Sequence, residues 1–267
     1  MRTYEEYEQI LSLWATGYYN KSEIARLTGI SRLTVRDCIA RYGTVAQLEA
    51  AAGRNIELRG ESTLLAMLKD PHDAQHLHKT YAYLLGLYLG DGCLSKTPRV
   101  YRMRIALDAK YPAIIQACVD ALKILLPENE VGLVEHYHGE GDNHHLSYIE
   151  VSCYYKYFPQ IFPQHGEGLK HNRKIELAEW QKRIVDAYPL EFFRGLYHSD
   201  GSRSQNIVKG KNYPRYFFTN MSEDIRQMFC ETSEKLGLQW TRTNAITIAI
   251  SQRKDVIWLD EYIGAKA

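Results

Sequence analysis

The sequence predicts an α+β protein in which a small all-α module precedes two copies of a helix–strands–helix–strands–helix unit. Three observations predict it. The stretch LLGLYLGDG at 84–92 returns as FRGLYHSDG at 193–201. After each copy, alternating and helical apolar patterns follow in the same order. Ahead of both copies, residues 4–42 carry helical periodicity alone, broken at Gly17 and Gly29.

Composition bounds the rest. With 267 residues, 45% hydrophobic and 24% charged, the chain can bury more than one core. It contains no run of 18 apolar residues, and its opening MRTYEEYEQI carries acids where a targeting segment carries bases, so a cytoplasmic protein is expected. The five cysteines (Cys38, Cys93, Cys118, Cys153, Cys230) are widely spaced without a CxxC pair, which fits a reducing compartment and buried, apolar roles. Net charge is only +1, but it is unevenly spread: residues 81–110 and 191–220 each hold five bases against two acids, while 111–163 holds two bases against seven acids. Positive charge is gathered where the two motifs begin, as two matching basic surfaces require.

Taken in order, the elements start with helices over Tyr4 to Ala15, Lys21 to Thr28 and Ser31 to Tyr42. In EIARLTGISRLTVRDCI, Ala25 is small where two helices cross, Gly29 suits a turn with positive φ, Ile30, Val35 and Cys38 face a core, and Ser31 can cap the third helix. This spacing resembles the helix-turn-helix family of DNA-binding modules. The resemblance implies that the third helix enters a major groove, with Ser31, Arg32 and Arg36 making base and phosphate contacts. Residues 46–79 are read as a linker with one short helix near Ser62–Leu68, after a helix-turn-helix domain at 1–45.

Residues 80–163 form the first half. Its motif helix is followed by the alternating run VYRMRIAL (100–107), the helix AIIQACVDALKILL (113–126), strands at 131–138 and 145–152, and YYKYFPQIF. In VYRMRIAL, Arg102 and Arg104 point to one face, Met103, Ile105 and Leu107 to the other. A connector at 164–188, helical from Ile175, leads to the second half at 189–267. There PRYFFTN (214–220), a helix at 222–237, strand-like 241–251 and a helix at 254–263 repeat the order. Lys96, Arg99, Arg102 and Arg104 in the first half, and Arg203, Lys209, Lys211 and Arg215 in the second, are the candidate phosphate-binding bases.

The motifs suggest a packing. Gly86 and Gly90 share one helical stripe, as do Gly195 and Ser199, and small residues at that spacing let two helix backbones approach. Gly92 and Gly201 then end the helices as C-terminal glycines do. Asp91 and Asp200 come to lie side by side where two macrodipoles are negative, a place that calls for a divalent cation.

Both motifs resemble that of the LAGLIDADG homing endonuclease family in its single-chain, two-motif form, over residues 81–267. The resemblance implies a pseudo-two-fold pair of αββαββα halves, the motif helices at their interface and saddle-shaped antiparallel sheets over double-stranded DNA. It implies that Asp91 and Asp200 hold Mg²⁺ or Mn²⁺ for cleavage of both strands, assisted by the carbonyls of Gly90 and Ser199. It further implies a lysine or glutamine at the end of each half's last strand, for which Lys156, Lys254 and Gln252 are candidates. Leu89 and His198 depart from the family at a motif position that is often acidic. His136, His138, His144 and His145 have an HxH-plus-pair spacing that zinc sites use, but a hairpin tip at that place faces DNA or solvent; the roles of His165 and His171 in the connector stay open.

The reading that follows is a monomeric, site-specific, metal-dependent DNA endonuclease with an added helix-turn-helix anchor. Its competitor is a non-cleaving transcription regulator of the WhiA type, in which a similar fold is joined to a helix-turn-helix at the other end. RNA binding, as in maturase-like relatives, comes third. Retention of both acids favours cleavage, because carboxylates aimed at phosphates weaken binding when no metal accompanies them.

Overall fold

A computed structural model describes residues 4–48, 62–70, 75–98, 100–139, 144–264 and 266. The chain divides into two compact units, Met1–Glu61 and Ser62–Ala267.

The first unit contains α1 (Tyr4–Ala15), α2 (Lys21–Thr28) and α3 (Arg32–Tyr42) around a core of Ile10, Leu11, Ile24, Ile30, Val35, Cys38 and Leu48. Local chemistry sets its boundaries. Asn20 caps α2 by accepting from the Ser22 and Glu23 amides, and Glu23 reaches back to the Asn20 amide at 2.8 Å. Gly29 takes φ +67°, which makes the turn between α2 and α3, and Ser31 Oγ accepts from the Thr34 amide. Arg32 and Arg36 are exposed, with Arg36 beside Asp37.

The second unit begins with α4 (Thr63–Lys69) and then the motif helix α5 (Gln75–Asp91), which starts inside the stretch expected to be linker. Its extra N-terminal turns bury His78 and support Tyr81 against Phe162 and Trp180. The first half continues as β1 (Gly92–Lys96), β2 (Tyr101–Asp108), α6 (Pro112–Leu125), β3 (Val131–His138), β4 (His145–Tyr155) and α7 (Phe158–Ile161). The helix of the connector, α8 (Glu179–Ala187), starts four residues later than Ile175. The second half is α9 (Pro189–Asp200), β5 (Gly201–Ser204), a small hairpin β6 (Ile207–Val208) and β7 (Lys211–Asn212), β8 (Arg215–Thr219), α10 (Glu223–Lys235), β9 (Trp240–Arg242), β10 (Thr247–Ile250) and α11 (Arg253–Tyr262). The hairpin is an addition that alternation in the sequence did not reveal.

Each half therefore has the αββαββα order, and the two four-stranded antiparallel sheets share one topology, β1-β2-β4-β3 and β5-β8-β10-β9. Register decides which side chains meet. In the first sheet Cys93, Arg104, Ser152 and Gly132 lie across from one another on one face, and Leu94, Met103, Cys153 and Val131 on the other. The second face, with Ile105, Leu107 and Val151, packs on the helices. In the second sheet Phe218 stacks on Phe229 of α10 at 4.2 Å, and Phe229 in turn on Phe193 of α9. One continuous core runs through both halves, with Tyr88, Phe192, Phe193 and Tyr197 fully buried along the motif helices.

Candidate metal and nucleic-acid site

The site exists because α5 and α9 have almost no side chains between them. A Cβ added to Gly195 would stand 2.1 Å from the Tyr83 carbonyl oxygen and 2.9 Å from Gly86 Cα. One on Gly86 would meet the Leu196 amide and the Phe192 carbonyl, each at 2.6 Å. One turn on, a Cβ at Gly90 would collide with Ser199 Oγ at 2.0 Å and Asp200 Oδ2 at 2.6 Å. The helices thus touch backbone to backbone and bring their carboxyl ends, with Asp91 and Asp200, to one place.

Gly92 and Gly201 act differently from the expectation. Gly201 has φ −87° and ψ 153°, and Gly92 is likewise outside the left-handed region. Each starts a strand directly, and what glycine provides is room: a Cβ would lie 2.6 Å from Tyr88 Cα at Gly92 and 2.3 Å from the Tyr197 carbonyl at Gly201.

Both acids are held above the usual carboxylate range. Burial, then the Asp200 charge, pushes the Asp91 carboxyl from 3.8 up to about 7. Burial raises Asp200 as well, against the hydrogen bond that Asn220 Nδ2 donates to Asp200 Oδ2 at 2.7 Å. Two lysines oppose the repulsion. Lys170 Nζ donates to the carbonyls of Tyr88, Leu89 (2.9 Å) and Gly90 (3.2 Å), and Lys266 Nζ donates to the Ser199 carbonyl at 2.9 Å. Burial lowers Lys170 to about 8 despite the pull of both aspartates, and lowers Lys266 in the same way. A cleft of about 390 Å³ opens here, lined by Gly90, Asp91, Lys170, Asp200 and Asn220 among others.

Lys170, Lys266 and Asn220 were missed by sequence reasoning, which looked for lysines at strand ends. A signal was present: GLK at 168–170 and GAK at 264–266 both follow the last helix of a half. Among the described residues, the strand-end candidates hydrogen-bond to neither acid. Lys156 is exposed over the Tyr157 ring, Lys254 is exposed beside Asp255, and Gln252 is the N-cap residue of α11, making no side-chain cap.

The candidate phosphate-binding bases divide. Arg102 and Arg104 share the open face of the first sheet, but Glu150 opposite partly neutralises them, at 2.7 Å from Arg102 and 3.8 Å from Arg104. Lys96 falls on the other face, where it lines a cavity with Tyr101, His165, Lys170 and Arg173. Arg203 is a correction: the register puts it beside Tyr216 on the packed side, where Asp260 of α11 holds it at 2.7 and 3.0 Å. Lys209, Lys211 and Arg215 are exposed. Arg99 lies outside the described residues.

His198 is packing, not ligand: it is buried, with Nδ1 at 2.9 Å from Tyr83 Oη and Nε2 at 2.9 Å from the Ile263 carbonyl. The histidines of the β3–β4 hairpin pair with rings, His136 with Tyr148, His144 with Tyr137 and His138 with His145. Four of the five free cysteines are buried, and Cys93 is exposed.

Among the described residues, no group of three or more His, Cys, Asp and Glu side chains could hold a metal ion. Two carboxylates, Asp91 and Asp200, and the carbonyls of Gly90 and Ser199 are the oxygen donors here, a hard set that could hold a hard dication such as magnesium.

No family model matches the sequence, and no curated protein is similar to it. Solved structures are. The N-terminal LAGLIDADG domain of DUF199/WhiA is 15% identical with a TM-score of 0.43, covering 74% of this chain and 88% of that one. Full-length DUF199/WhiA from Thermatoga maritima is 18% identical with a TM-score of 0.46, over 74% of this chain and 59% of that one. The homing endonuclease I-WcaI bound to its DNA recognition sequence is 14% identical with a TM-score of 0.45, over 76% and 90%. Among the described residues, no helix is long and apolar enough to cross a membrane.

Proposed function

We propose that the Ser62–Ala267 unit binds double-stranded DNA over the open faces of its two sheets and hydrolyses phosphodiester bonds at Asp91 and Asp200. The observation that carries this reading is the meeting of one carboxylate from each half at the touching ends of α5 and α9. A fold stabilised only by packing gains nothing from two half-buried acids placed to repel each other. Bound there, Mg²⁺ or Mn²⁺ would supply a Lewis acid for phosphodiester hydrolysis. The chain's own residues orient the acids: Asn220 fixes Asp200, and α5 and α9 hold both carboxylates on rigid backbone. Exposed Lys209, Lys211 and Arg215, with Arg102 and Arg104, supply the positive surface, and Arg32 and Arg36 of α3 supply a second one for a groove.

A second reading has an observation of its own. Lys170 and Lys266 already neutralise the acid pair, so the same surface can serve as a non-cleaving DNA-binding regulator. Incubation with a supercoiled plasmid library and Mg²⁺ or Mn²⁺ separates the two. For the nuclease, cutting appears with the parent and is lost in Asp91→Asn and Asp200→Asn, while gel-shift binding persists. Binding without cutting, tighter in both variants, selects the regulator.

A further inference from the structure

We infer that Lys170 and Lys266 are built-in counter-cations that hold the acid pair together in the metal-free protein and compete with a divalent cation for the same oxygens. The inference deepens the proposed function and rests on its reading of Asp91 and Asp200 as a metal site.

Geometry comes first. A lysine near a helix C-terminus is ordinary when it caps stray carbonyls. Here the capped carbonyls belong to Gly90 and Ser199, the residues directly preceding the two acids, so each ammonium sits on an oxygen that a metal would share with Asp91 or Asp200. Lys170 also lies over the Tyr88 ring at 4.9 Å and Lys266 over the Tyr111 ring at 5.3 Å, which fixes both side chains inward.

The arrangement is made twice. In each half the segment after the last helix returns to the end of that half's own motif helix. In each, a left-handed glycine stands two residues before the lysine: Gly168 and Gly264 both have φ +76°. That conformation is strained for residues with a Cβ, so glycine suits this point of both segments.

Charge completes the argument. Two aspartates and two lysines sum to zero, and a dication added to all four leaves a half-buried cluster at +2. An ammonium and a dication drawn to the same carbonyl oxygen repel each other at short range, so each weakens the other's hold. Removing one lysine therefore removes a competitor.

The test is direct binding of Mn²⁺ alone to the full chain, followed by the loss of its free EPR signal, with thermal melting to establish folding. Lys170→Met is expected to bind Mn²⁺ about tenfold or more tightly than the parent, the ratio that about 1.4 kcal/mol of competition represents. Lys266→Met is expected to change in the same direction, and Lys170→Arg, which keeps the charge, to stay at the parent's affinity. Equal Mn²⁺ affinity in parent and folded Lys→Met variants, lost in Asp91→Asn, overturns the competition and leaves the metal site standing. Absence of Mn²⁺ binding in every form overturns both.

Discussion

Asp91 concentrates the energetic cost of the site in one side chain. Its carboxyl is raised from 3.8 to about 7, so the unfolded chain ionises this group at lower pH than the folded protein does. Between those values the folded state holds more protons, and stability falls as pH rises through the window. Asparagine removes the titration. Asp91→Asn is expected to melt about 3 °C or more above the parent at pH 8, with the gap closing by pH 4, in calorimetric scans across that range. A gap independent of pH, or a lower melting point at pH 8, would show that the acid is not held against its charge. Asn220 is the quieter partner, since its hydrogen bond favours the ionised form of Asp200 and so offsets part of the burial cost.

The two motif helices depend on what their sequence omits. Gly86 and Gly195 are small because backbone atoms of the opposite helix occupy the space a methyl would need, with 2.1 Å left at Gly195. Gly195→Ala is therefore expected to lower unfolding free energy by about 3 kcal/mol in urea titration, since a rigid carbonyl cannot yield as a side chain can. Gly132→Ala is the control: its added Cβ meets Ser152 Oγ at 3.4 Å, and a loss below about 1 kcal/mol is expected. Strand register matters in the same way. The difference between Arg215, exposed, and Arg203, pinned by Asp260 and Tyr216, is one of alternation along β5 and β8.

At the scale of the whole molecule, the proposed DNA surface is a matter of which bases stay free. Arg215→Ala is expected to weaken DNA binding similarly across sequences and to reduce the slope of log affinity against log salt by about 1. Arg203→Ala is expected to leave that slope unchanged and to lower the melting temperature instead, because its guanidinium is spent on Asp260. Fluorescence anisotropy at several salt concentrations, with melting curves beside it, reads both. An equal loss of slope in the two variants would place Arg203 at the phosphates and overturn the assignment of faces. Both halves contribute one acid, one lysine and one sheet, so the proposed chemistry belongs to their junction.

The sequence by itself determined the repeat, the α+β class, the strands at 131–138 and 145 onward, and the stripe of small residues between the motif helices. It could do so because periodicity and side-chain size are local properties, written residue by residue. Only the tertiary structure decided which lysines stand at the acids, why Gly92 and Gly201 must lack a side chain, and that Arg203 turns inward. The lysines and Arg203 depend on register and on segments distant in the chain, as Asp260 reaches Arg203 across 57 residues, Lys266 reaches Ser199 across 67 and Lys170 reaches Gly90 across 80. GLK and GAK were in plain view in the chain, but their meaning required the fold, because a lysine becomes a counter-cation only where the backbone carries it to a buried charge.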